Sequence, residues 1–147
     1  MKKYWSLLLV FTLLSCNKQS DSGTDEGDIS ETRANVKKEA AASYSEPVAD
    51  KDKLNKWKFA VEAFETPMTF KYLLKIQYKE LQVEDTLMIP DFGIQPVVEM
   101  KKGPEDLSCI IGFKGKENEF KEYKKVKVED GELKITALKS YRKAVKK

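Results

Sequence analysis

Apolar and polar residues alternate through most of the chain beyond residue 57. Phe70, Tyr72, Leu74, Ile76 and Tyr78 take turns with Lys71, Leu73, Lys75, Gln77 and Lys79, a period of two held over ten residues. That period marks a strand with one face turned to a core. Leu107, Cys109, Ile111 and Phe113 repeat it, Phe120, Val126 and Val128 share a parity, and Leu133 and Ile135 continue it after Asp130-Gly131. An Asp-Gly pair between two alternating runs predicts a hairpin, because a type I′ turn needs positive φ at both central residues. Lys116 to Glu119 predicts a second one.

The pattern predicts strands over 57–64, 69–79, 83–89, 95–101, 107–113, 119–129 and 132–141, separated by Pro67, Pro90, Gly93 and Gly103-Pro104. In 57–64, Trp57, Phe59, Val61 and Ala63 alternate, while Leu54, Trp57, Val61 and Phe64 also fit a helical stripe; the strand is preferred. About seven short strands with close turns imply an all-β domain, a small antiparallel sandwich or barrel, over residues 53–147. Roughly 90 residues bury a modest share of their surface, so its stability should be small.

The first 52 residues follow different rules. Lys2 and Lys3 precede an apolar stretch from Tyr4 to Leu14, and the small Ser15 precedes Cys16. This is the three-part layout of a signal peptide over 1–15. Eleven helical residues rise about 16 Å against a hydrocarbon core of about 30 Å, too short to span it. Residues 17–52 lack apolar periodicity and hold five basic against nine acidic residues, a composition that does not offset ordering entropy. Residues 16–52 therefore read as a flexible acidic tether, with a root-mean-square span of about 33 Å for a coil of that length.

Leu13-Leu14-Ser15-Cys16 resembles the lipobox of bacterial lipoproteins, although Leu14 stands where a smaller residue is usual. The resemblance covers the leader alone. It implies lipidation at Cys16, attachment to a membrane through the acyl chains, and a place in the bacterial cell envelope, at the outer membrane. Several chains anchor firmly where one myristoyl chain is marginal. Lys18 and the acids after it are partly similar to the surface-export signals of some Bacteroidota lipoproteins, but Gln19 and Ser20 interrupt them, and a solvated spacer is preferred.

The chain contains no histidine, which removes the Ser-His and Cys-His nucleophilic arrangements and the commonest metal ligand. With Cys16 acylated, Cys109 is a single thiol on an apolar strand face and reads as a small buried hydrophobe. Neither metal nor cofactor is expected. Asp91-Phe92-Gly93 reads as a turn after Pro90. Glu105-Asp106 and Glu84-Asp85 are the nearest carboxylate pairs to a glycosidase arrangement, yet both fall in expected turns. Residues 101–147 hold fourteen Lys or Arg against eight acids, so Lys114, Lys116, Lys121, Lys124, Lys125 and Lys127 are the candidate binding residues. Such a face suits an acidic glycan or an acidic envelope protein; nucleic acid is not expected, since no nucleic-acid motif accompanies the lysines.

The expectation is a membrane-anchored envelope lipoprotein that is not an enzyme, its small β domain serving as a binding or accessory module. A small inhibitor or immunity-type lipoprotein that blocks an envelope enzyme is the alternative, and a carboxylate glycan hydrolase is less favoured. Cys16→Ser should abolish incorporation of a fatty-acid probe into the protein. Label persisting in that variant would remove the anchor from the account.

Overall fold

The computed structural model describes residues 31–51 and 54–141; the leader, Cys16 and the first part of the expected tether lie outside them. Eight antiparallel strands form two four-stranded meanders, an all-β sandwich. The first sheet is β1 (Ala42–Pro47), β2 (Lys58–Glu65), β3 (Lys71–Tyr78) and β4 (Leu81–Met88); the second is β5 (Val98–Lys102), β6 (Ser108–Lys114), β7 (Phe120–Glu129) and β8 (Glu132–Ala137). Residues 58–65 form a strand, as the alternation over 57–64 favoured against the helical stripe. Asp130 and Gly131 both take positive φ, 54° and 81°, the conformation a type I′ hairpin demands. Lys79 at φ 55° turns β3 directly into β4, so β4 begins two residues earlier than expected.

Alternation decides what each strand buries. Phe59, Val61 and Ala63 on β2, Tyr72, Leu74 and Ile76 on β3, and Leu87 on β4 face Cys109, Ile111 and Phe113 on β6 and Val126 on β7. Each large side chain so buried contributes about 1.5–3 kcal/mol over leaving it in water. Near Phe113 the core is closed by rings: Phe92 stacks on it at 5.8 Å, while Tyr123 and Tyr141 meet it edge-on at 6.0 and 5.4 Å.

Four charged residues also share the inward parity. Glu46 pairs with Phe59, Lys102 with Cys109, Asp85 with Leu74 and Lys124 with Ile111 across their strands. They meet across the sandwich: Lys102 Nζ lies 3.1 Å from Glu46 Oε2, and Lys124 Nζ lies 2.6 Å from Asp85 Oδ2 while also donating to the Thr86 carbonyl. One ion pair thus ties β1 to β5 and the other ties β4 to β7. Inward-pointing charges on the edge strands β1 and β5 also discourage sheet-to-sheet aggregation.

The contacts fix strand direction as well. Glu46 and Lys102 both stand near the C-terminal ends of their strands, and Tyr72 Oη, near the start of β3, donates to the Pro96 carbonyl just before β5. β1 and β5 therefore run the same way, and so do β4 and β8. The near pole carries residues 31–33, the β2–β3 loop, residues 115–119 and Tyr141. The far pole carries residues 48–51 and 54–57, Lys79-Glu80, 103–107 and Asp130-Gly131.

Two expectations need correction. Residues 42–47 belong to the fold rather than to the tether, which gives eight strands where seven were expected. Their alternation was masked because the inward residues are Ala42, Tyr44 and Glu46, only one of them large and apolar. Upstream of them, Thr32 bridges to Met68 and Arg33 N donates to the Pro67 carbonyl. The Arg33 guanidinium donates to the carbonyls of Thr66, Met68, Thr69 and Lys71, covers the Tyr72 ring at 4.6 Å, and has Glu65 3.8 Å away. Its side chain is 5% exposed. One arginine thus satisfies the carbonyls of an entire loop and pins the incoming chain.

The second correction concerns β7. Ile111 pairs with Lys124 but Gly112 with Glu122, so Tyr123 is an extra residue, a β-bulge. Phe120 and Val126 share numerical parity yet lie on opposite faces. Val126 is buried inside, whereas Phe120 lies outside against Gly112, where any added Cβ would strike its ring and the Lys121 carbonyl. The last strand also stops at Ala137, and Tyr141 folds back onto Phe113.

Arg33→Ala should destabilise the domain by about 2 kcal/mol, because the Thr66 and Thr69 carbonyls lose their side-chain donor and Glu65 its guanidinium. Thr66 Oγ1 still serves the Met68 and Lys71 carbonyls. The exposed control Lys38→Ala should change little. Urea midpoints of the two variants test this, and equal midpoints would show that the pin does not matter.

Candidate functional site

The six expected binding lysines do not share one face. Lys125 and Lys127 point outward from β7, Lys114 points outward from β6, and Lys116 is exposed in the loop that follows. Lys121 points inward at the near pole, held by Glu119 at 2.7 Å and lying over Tyr141. Lys124 points inward to Asp85. The β-bulge at Tyr123 separates these sets, and nothing in the spacing of the lysines reveals it.

The outward lysines are largely neutralised by their own fold. Lys125 is 2.7 Å from Glu105, and Lys114 and Lys101 flank Glu99 at 3.8 and 3.5 Å. Lys127 and Lys134 stand directly opposite each other on β7 and β8, an arrangement that is unfavourable by itself. Glu129 resolves it by accepting from both, at 2.8 and 2.5 Å. Residues 101–141 hold ten lysines against eight acids, so most of the positive surplus belongs to Arg142, Lys143, Lys146 and Lys147, outside the described residues.

The carboxylate pairs fare similarly. Glu84 and Asp85 are neighbours on a strand and point to opposite faces, so they do not share a cleft. The Lys125 hydrogen bond pulls the Glu105 carboxyl below its ordinary value, the wrong direction for a general acid at neutral pH. Cys109 is fully buried, and burial, with Glu46 nearby, pushes its thiol up to about 12. It is inert by that measure. Asp91-Phe92-Gly93 is a turn: Asp91 Oδ1 accepts from Gly93 N at 2.6 Å, and Phe92 plugs the core.

Sequence reading passed over the far pole. There the end of β1 and the approach to β2 enclose a hollow of about 460 Å³, lined by Ser45, Glu46, Pro47, Val48, Asn55, Lys56, Trp57 and Lys58. Val48 N donates to the Trp57 carbonyl, extending the ladder and holding the indole at the rim. Lys79 Nζ lies 4.8 Å from the indole centre, and Lys56 and Lys58 line the same hollow. Glu46 Oε2 accepts from Tyr44 and Lys102, while Oε1 is buried without a hydrogen-bond partner. A second hollow, of about 330 Å³, lies at the near pole between Glu31, Phe70 and the 91–96 segment.

The sandwich is also incomplete along one flank. Ile135 on β8 points inward beside Val126, yet it is 36% exposed where Val126 is 0%. Leu81 on β4 has inward parity and is 48% exposed. No cluster of three metal-ligating side chains occurs among the described residues. No family model matches this chain, and no curated protein or solved structure matches it either.

The Lys127 and Lys134 hydrogen bonds hold Glu129 at about 2, well below its ordinary 4.5. A carboxylate held below its unfolded value stabilises the fold above that value and loses the effect as pH falls through the folded one. The melting temperature should therefore decline between pH 4.5 and 2. Glu129→Gln should flatten part of that decline and should lower the melting temperature at neutral pH, where two lysines would then face each other. Added salt should shrink the difference. Overlapping curves for the two proteins would show that the bridge is idle.

Proposed function

We propose that this chain is an envelope lipoprotein, held at a membrane through Cys16, whose β-sandwich binds an anionic partner at its far pole rather than performing chemistry. The polarity of the fold carries this reading. Both described chain ends, at residues 31 and 141, belong to the near pole, and Arg33 pins the incoming segment there. An anchor upstream of that segment turns the near pole toward the membrane. The opposite pole, with the Trp57 indole and its neighbouring lysines, then faces outward on a rigid scaffold.

The chemistry of the hollow suits an acidic glycan. An aromatic plane with a few convergent polar groups is how small ligands are oriented. Trp57 offers the plane, Asn55 and Ser45 offer hydrogen bonds to hydroxyls, and Lys56 and Lys58 offer charge to an acid group. The lysines of β7 contribute less, because Glu105, Glu129 and Asp85 already occupy them.

Once the leader is removed, Trp57 is the protein's single tryptophan and reports on this site directly. Titration with polygalacturonate should shift its fluorescence saturably, and added salt should weaken the effect. Lys56→Glu with Lys58→Glu should weaken binding about tenfold or more, roughly 1.4 kcal/mol. Neutral dextran should give no response. A response to polyglutamate alone would move the partner to an acidic protein, and silence toward every polyanion would overturn the reading.

A further inference from the structure

The flank formed by β4 and β8 lacks a strand. Lys124 ties β4 to β7, one strand short of β8, so Ile135 and Ala137 point inward yet stay exposed, and Leu133 is only partly buried against the core. On the facing sheet, Leu81 and Val83 of β4 also point inward at an edge. Both strands end their sheets, and bare edges of this kind template the addition of another strand. Neither residues 17–30 nor residues 142–147 carry the pattern of a spare one. Residues 17–30 include a single large apolar residue, Ile29, and residues 142–147 read Arg-Lys-Ala-Val-Lys-Lys.

We propose that a second copy of this chain closes the flank, each copy laying its β8 beside the other's β4. A two-fold axis parallel to the strands achieves this. It moves the overhanging β8 of one copy into the gap beyond β4 of the other, and the same operation fills the reciprocal gap. Each sheet of one copy then continues into the opposite sheet of the other.

The ion pair between the sheets sets the register. Lys124 faces Asp85 across the core and pairs with Ala137 beside it, so Ala137 lies level with Asp85. β4 and β8 run the same way, which puts Ile135 level with Val83 and Leu133 level with Leu81. A two-fold axis along the strands preserves those levels. Leu81 therefore meets Leu133 of the second copy and Val83 meets its Ile135, with inward faces matched. On the outer row Gln82 and Glu84 meet its Lys134 and Thr136, so no like charges oppose and Glu84 gains a lysine as diagonal neighbour. Pairing β8 with its own copy instead would leave Leu81 in water. Two short ladders with four apolar side chains from each copy cover on the order of 1,000 Å², the lower bound for a specific interface, and imply a weak dimer.

The mature chain carrying Cys16→Ser, to remove the acylation site, allows the test in solution. Sedimentation equilibrium should move from monomer toward twice the monomer mass between micromolar and millimolar protein. Ile135→Lys should stay monomeric without losing melting temperature, since Ile135 is already partly in water. Oxidation of a Val83→Cys, Ile135→Cys double variant should give a disulfide-linked dimer, while neither single variant cross-links. Sheets pack about 10 Å apart and a disulfide joins Cα atoms about 4.4–6.8 Å apart, so the two positions do not join within one copy. Monomer at every concentration overturns the proposal. Efficient cross-linking of Ile135→Cys alone would show β8 paired with β8, and would overturn it equally.

Discussion

Two ion pairs bridge the sheets at the margins of the apolar core, Lys124–Asp85 partly buried and Lys102–Glu46 with its lysine exposed. A charge between two sheets is unfavourable unless a partner reaches it, and Glu46, Asp85, Lys102 and Lys124 all have inward parity. Each acid meets a lysine of the opposite sheet, so the sheets have one relative position in which all four are served. A hydrophobic pair of similar volume often serves stability as well as a buried ion pair does. The gain here is positional. β1 is held to β5 and β4 to β7, and the uncovered β8 follows from that offset.

The same offset gives the domain its two ends. Parallel alignment of β1 with β5 gathers the β2–β3 loop, residues 115–119 and Tyr141 at one pole. Arg33 then fixes the incoming segment to that pole by saturating a loop's carbonyls, a task suited to the five donors of a guanidinium. The opposite pole gathers a half-buried indole, three lysines and a carboxylate oxygen without a partner. The proposed attachment lies toward one end and the chemically varied surface at the other, which is what the proposed presenting role rests on. Of the carboxylates that resembled acid–base candidates, Asp85 and Glu105 are counter-charges to Lys124 and Lys125.

Much of the fold was legible in the residues. Alternation located seven of the eight strands, Asp130-Gly131 announced its hairpin, and the parity of Cys109 with Ile111 and Phe113 announced its burial. β1 was not legible, because an edge strand with Ala42, Tyr44 and Glu46 inside carries almost no hydrophobic signal. Arg33 was invisible for a related reason: its partners are backbone carbonyls more than thirty residues away, and no side-chain pattern records those. The β7 lysines misled because one extra residue, Tyr123, reverses the face of every position before it. A bulge leaves no mark in a run such as Lys121-Glu122-Tyr123-Lys124-Lys125. The Trp57 hollow was passed over because the alternation assigned that ring to the core, whereas the end of the ladder leaves it at the rim.

The claim that cross-sheet ion pairs set this architecture is tested most directly by a double-mutant cycle on Asp85→Asn and Lys124→Met, read from urea unfolding. The predicted coupling is about 1–3 kcal/mol, as for groups in direct contact in a shielded site. The exposed pair Glu122 and Lys139, taken through the same cycle, should give about 0.5 kcal/mol or less. If Asp85 and Lys124 prove additive, or couple no more strongly than the exposed pair, the ion pair does not hold β4 to β7. The offset of the sheets would then require another cause.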